Sequence, residues 1–191
     1  MAEFKLPTEE VDLPSKGLLY SKDNPLSSGK LEMKYMTAKE EDILTNQNYI
    51  QKGVVIDKLL QSLIVNKDIN YNTLLIGDKN AIMIAARILS YGKNYEFTYD
   101  SKPQNIDLSL LENKEINLEL FKSGENVFPF TLPHTDNKIT FKLLTHGDDK
   151  KIDAELKGIK KIDKEGSHDV TTRLAHMITS INGSEETKDI R

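Results

Sequence analysis

The chain has 191 residues, 38% apolar and 29% charged, with a formal net charge of −4 and no cysteine. Its length suits one domain with a modest core, and its acidic balance lacks the basic footprint of a nucleic-acid binder. The missing cysteines exclude disulfides, thiol nucleophiles and cysteine-ligated metal sites.

Residues 1–30 read as an extended arm. Pro7, Pro14 and Pro25 interrupt any helix, Gly17 and Ser27-Ser28-Gly29 mark turns, and the short apolar cluster Leu18-Leu19-Tyr20 lies between them. Lys30–Tyr35 alternates apolar with charged residues, as a half-buried strand does. Thr37 and Glu40 form a capping box that opens a short helix over 38–46. Ile56, Leu59, Leu60, Leu63 and Ile64 repeat at helical spacing and predict one apolar face. Asp78 reads as the N-cap of a following helix, which is apolar almost all round through Leu89 and so predicts a buried central helix with a stop at Tyr91-Gly92.

From residue 93 the period changes to two. Tyr95, Phe97 and Tyr99 alternate with polar residues, as do Ile106, Leu108 and Leu110, and Ser101–Asn105 between them predicts the turn of a β-hairpin. Phe128–Leu132, Pro133–Asn137 and Ile139–Leu143 predict a second hairpin, with Pro129 confining its strand to a sheet edge. A charged helix follows, acidic at Asp148-Asp149 and basic at Lys157, Lys160 and Lys161. A last helix over 169–181 carries Val170, Leu174, Met177, Ile178 and Ile181, and Asn182-Gly183 stops it. The expected fold is therefore α+β in a single domain over 1–191. It has an arm (1–30), a strand and amphipathic helices (31–92), a strand-rich section of β-hairpins (93–145), helices (146–183) and a polar tail (184–191).

Sites for chemistry are sparse. His134, His146, His168 and His176 have no metal-site spacing, so no metal and no cofactor are expected, and surface or capping roles suit the histidines. Gly77-Asp78-Lys79 lacks the glycine pattern of a phosphate loop, and no GxSxG elbow is present. The acidic run Glu40-Glu41-Asp42 suits a helix start better than a cation site. The stripe Tyr91, Tyr95, Phe97 and Tyr99 could stack bases, but only Lys93 lies within it to hold phosphate, so packing or an interface is the simpler reading. The sequence therefore points away from an enzyme and towards a module that binds other proteins. No basic-then-apolar signal pattern opens the chain. Its longest apolar stretch, Ala81–Leu89, includes Arg87 and falls far short of the ~20 residues of a membrane span, so a soluble protein with no membrane partner is expected.

Three stretches carry a resemblance. The first is Leu13-Pro-Ser-Lys-Gly-Leu-Leu-Tyr20 followed by Gly29–Leu44. The second is Leu74–Gly92 with Tyr95 beyond. The third is Ile139–Leu144 with Val170–Ile178 and Ile181-Asn-Gly183. In this order they resemble the T4-type myovirus baseplate hub and tail assembly proteins. The resemblance implies a non-enzymatic protein that binds other phage baseplate or tail proteins, with self-association as a further contact and no nucleic-acid partner. It would act in the host cytoplasm during assembly or in the virion baseplate, as an assembly chaperone or a structural subunit. A tape-measure-binding tail chaperone is the alternative within phage biology, and a nucleic-acid module using the aromatic hairpin is the alternative of another class. Such families often carry a cysteine-based zinc ribbon after the Tyr-Gly motif. Here Ser101–Asn105 takes that place, which implies a metal-free hairpin held by Tyr95, Phe97, Ile106 and Leu108. The family pattern also tends to run past Gly183 into a further helical segment. The arm is the expected interface, with Leu18, Leu19 and Tyr20 as its contacts, because a segment too short to bury a core gains order by docking.

Overall fold

The alternation of Lys30–Lys34 places Leu31 and Met33 inside and Lys30 and Glu32 outside, and the segment is a strand, β2. Its partner is β1, Thr8–Asp12, antiparallel in the register Thr8↔Lys34 to Asp12↔Lys30. The structure is a computed structural model that describes residues 7–115, 117, 119, 121–163 and 166–190. The first six residues of the expected arm therefore lie outside the described residues. The described residues gather into two compact units. Unit 1 holds the chain up to Ile69 together with Gly77–Ser123, and unit 2 holds Asn70–Ile76 together with residues from Gly124 onward.

In unit 1 the chain after β1 turns tightly through Lys16 and Gly17, both at positive φ, and a 3-10 turn at Pro25–Ser28 leads to Gly29. Two glycines make this turn possible. A Cβ on Gly17 would lie 2.4 Å from the Ser27 carbonyl oxygen, and one on Gly29 would lie 2.8 Å from the Lys16 backbone, closer than real atoms approach. Leu13, Leu19, Tyr20 and Leu26 are buried as a result. The helices α1 (Ala38–Leu44), α2 (Gln47–Gln51) and α3 (Val55–Leu63) follow, with α1 packed on α3. The apolar stripe of α3 behaves as its spacing predicts for Leu59, Leu60, Leu63 and Ile64, all buried. Each contributes roughly 1.5–3 kcal/mol of hydrophobic stabilisation.

Helix α4, Ile76–Tyr91, corrects two expectations. It begins two residues before Asp78, which sits in the first helical turn rather than at the cap. It is also not buried all round. Asp78, Ile82 and Ala86, four residues apart, form one buried stripe, whereas Met83 and Tyr91 are exposed. The helix ends as expected at Gly92, which has φ 82° and donates its N–H to Ile88.

The first hairpin pairs β3 (Asn94–Tyr99) with β4 (Lys102–Asp107). Its turn is shorter and earlier than the sequence suggests. Tyr99 pairs with Lys102, leaving Asp100 and Ser101, both at positive φ, which is the two-residue geometry whose twist matches the strands. Pro103 therefore lies in an exposed two-stranded ribbon rather than in a loop, and Leu108–Leu110 forms a 3-10 turn.

In unit 2, β5 (Phe128–Thr131), β6 (Lys138–Phe141) and β7 (Ile178–Ile181) form an antiparallel sheet in that order, with Pro129 on the edge strand as expected. Strand β7 replaces the last turn of the predicted final helix. That helix, α6, ends at Met177. Ile178, Thr179 and Ile181 are β-branched and favour a strand, and Thr140 on β6 shares hydrogen bonds of 2.7 and 2.6 Å with Thr179 and Ser180. Helix α5, His146–Ile162, opens on a capping box between Thr145 and Asp148 and buries Ile152 and Leu156. His146 is buried with its ring edge-on to Tyr71 at 4.8 Å, an interior place the sequence did not suggest. A four-residue helix, α7 (Thr187–Ile190), follows the Asn182-Gly183 turn.

Candidate docking groove

Helix α4 carries a second apolar stripe beside its buried one. Met83, Arg87, Ser90 and Tyr91 lie along it, and with Ile84 they form one wall of an open groove in unit 1. Met36 and Leu44 contribute from the α1 region, and Ile56, Leu59 and Leu60 from α3. Tyr95 and its cross-strand partner Ile106 close it from the hairpin, with Leu108 beneath. The groove encloses about 500 Å³. Its side chains are not merely lining a core, since Met83 and Tyr95 are each 42% exposed. The near-continuous apolar character of α4 thus has two causes: one stripe serves the fold, and the other faces the groove.

The walls are fixed by carboxylates. Glu40 is fully buried. Its Oε1 accepts from Lys34 Nζ at 2.7 Å and from the Ser62 hydroxyl at 2.6 Å, and its Oε2 accepts from the Thr37 N–H at 3.1 Å and hydroxyl at 2.6 Å. Burial pushes this carboxyl up, but the donors from Lys34, Ser62 and Thr37 outweigh burial and hold it at about 2. Asp78, also buried, accepts from the Ser15 N–H at 2.9 Å, the Ser15 hydroxyl at 2.7 Å and the Tyr20 hydroxyl at 2.6 Å. Both acids are engaged by donors from the fold itself.

At the groove mouth the Tyr91 hydroxyl donates to Glu41 Oε1 at 2.9 Å, which ties α4 to α1 and raises the phenol's pKa. The Arg87 guanidinium lies 5.1 Å from the Tyr91 ring centroid and 5.6 Å from that of Tyr95. It donates to the Gly92 carbonyl at 2.9 Å and, more weakly, to that of Asn94 at 3.4 Å. Lys79 pairs with Asp57 and Lys93 with Asp107, each at 2.8 Å.

Of the arm residues expected at an interface, Leu19 and Tyr20 are buried within unit 1 and Leu18 is half-buried. In the hairpin Tyr95 stacks on Phe97 along β3 at 5.9 Å and pairs across the ribbon with Ile106, and Leu108 is buried just beyond β4. Every residue of β3 is exposed. The groove residues Met83 and Arg87 had one signal in the sequence, a charge inside an otherwise apolar helical run, whereas Ile56, expected on the apolar face of α3, is exposed. In unit 2, Arg173 meets Asp149 at 2.9 Å and His176 meets Glu155 at 3.0 Å, so α6 is fastened to α5. Among the described residues no group of histidine and carboxylate side chains could hold a metal ion, and no helix is long and apolar enough to cross a membrane.

No curated protein and no solved structure gave a significant match. Residues 9–190 match the family described as T4 bacteriophage base plate protein. Because the match runs from β1 to the last residue of α7, this chain belongs to the T4 bacteriophage base plate protein family.

Proposed function

We propose that the chain fulfils its family's structural and assembly role by binding other baseplate proteins through the unit 1 groove. The observation that carries this reading is an apolar, open-mouthed groove whose walls are held by saturated carboxylates. A rigid concave apolar surface is where a partner's side chains gain most from leaving water. The nucleic-acid reading draws on the stacked Tyr95–Phe97 pair, but the net charge of −4 and the pairing of Lys93 with Asp107 weigh against it.

Complementation tests the proposal. A phage lacking the gene would be supplied with Ile56→Glu or Met83→Glu protein, each placing a charge on an already exposed position. Both variants are expected to melt like the parent protein and to leave baseplates unassembled by electron microscopy. Normal baseplates from both would refute the groove as the docking surface.

A further inference from the structure

We infer that the groove's occupant is a segment of another baseplate protein that brings a carboxylate to Arg87 along with its apolar side chains. This inference rests on the docking role proposed above. Among the described residues, Arg87 is the only charged one lining the groove, and it has no carboxylate partner. At the mouth, Glu41 accepts from the Tyr91 hydroxyl rather than from Arg87. Two backbone carbonyls and two aromatic rings hold the guanidinium in place instead. These contacts orient the group without neutralising it.

That arrangement selects by charge. A purely apolar occupant would strip water from an unpaired guanidinium, which is costly in a low-dielectric site. An occupant with an Asp or Glu at the right place would replace that water with a charge-assisted, potentially bidentate pair. A basic occupant would meet like charge and be rejected. The groove therefore reads one feature beyond hydrophobicity, and its location at the Tyr91 end fixes the orientation of the bound segment.

The test uses the full chain with a benzophenone amino acid at Met83 or Ile56, expressed in infected cells and irradiated, with the cross-linked peptide identified by mass spectrometry. The expected product joins another baseplate protein at a segment with Asp or Glu within four residues of the cross-link. Arg87→Glu should cut the yield by about tenfold or more, and Arg87→Lys should cut it less. Changing the partner's carboxylate to Arg should restore cross-linking to Arg87→Glu, which a merely unfolded variant could not do. No cross-link from either position would overturn the docking reading itself. A partner segment without a carboxylate, a second copy of this chain as the product, or a yield indifferent to Arg87→Glu would overturn the present inference alone.

Discussion

The N-terminal segment and the β3–β4 hairpin make opposite use of similar residues. Both are short, irregularly punctuated stretches that carry a few large apolar side chains. In the first, Leu13, Leu19 and Tyr20 are buried, and Ser15 and Tyr20 donate to the buried Asp78. In the second, Tyr95, Phe97, Tyr99 and Ile106 all remain exposed. The difference lies in what each segment finds to bond with. The N-terminal segment gains a strand partner in β2, a two-glycine turn and a carboxylate anchor. Among the described residues the hairpin pairs with no further strand and touches α4 only at the groove rim, so its aromatics remain exposed to a partner.

Substitutions can break this comparison, and the largest effect should come from the core beneath the groove. Leu60 is fully buried on α3, and Leu60→Asp is expected to lose at least ~4 kcal/mol or prevent folding, by placing an unpaired charge in the interior. Chemical denaturation would register it. A near-parental midpoint would mean that α3 does not pack as described.

Glu40→Gln should come next. It removes the charge that Lys34 pairs with and is expected to destabilise the protein by on the order of 3 kcal/mol at neutral pH. The pH dependence has a definite sign. The folded carboxyl is held at about 2, below its ordinary 4.5, so its contribution is fully present above about pH 4.5. It fades as the pH falls towards 2. The stability gap between parent and Glu40→Gln should therefore narrow across that window in acid titrations followed by circular dichroism. A gap that stays constant from pH 6 to pH 3 would show that the charge is not what stabilises.

Tyr20→Phe probes the anchored segment more gently. Asp78 keeps both donors from Ser15 and loses one hydrogen bond, so about 1–2 kcal/mol of stability should go. If Tyr20 instead serves an interface, the melting temperature should hold while baseplate assembly fails, and the two readings separate in one pair of assays. The smallest effect belongs to the hairpin tip. Tyr99 is 72% exposed, and Tyr99→Ser should change stability by less than about 0.5 kcal/mol. A larger loss would place the ribbon in the fold.

Much of the fold was legible because periodicity reports burial directly. The alternation in β2, most of the stripe of α3, the capping box at Thr37, the charge asymmetry of α5 and the edge-strand Pro129 all follow from local rules. What escaped depends on partners distant in sequence. Ile178 and Ile181 fit a helical stripe equally well until β6 offers Thr140 to pair against. Asp78 fits a cap until Ser15 and Tyr20, 63 and 58 residues away, reach it. The groove was hidden for the same reason. An all-round apolar helix signals burial, and only the arrangement of α1, α3 and the hairpin shows that one stripe of α4 is left uncovered.

Methionine oxidation footprinting tests the central claim most directly, because the same side chain type lies on both sides of the divide. Met33 is fully buried on β2 and Met83 is 42% exposed in the groove. In the free protein, peroxide should oxidise Met83 rapidly and Met33 slowly. On incorporation into a baseplate assembly, Met83 should be protected about tenfold or more while Met33 stays slow. Equal oxidation of Met83 before and after assembly, or protection of Met83 already in the free chain, would contradict the account.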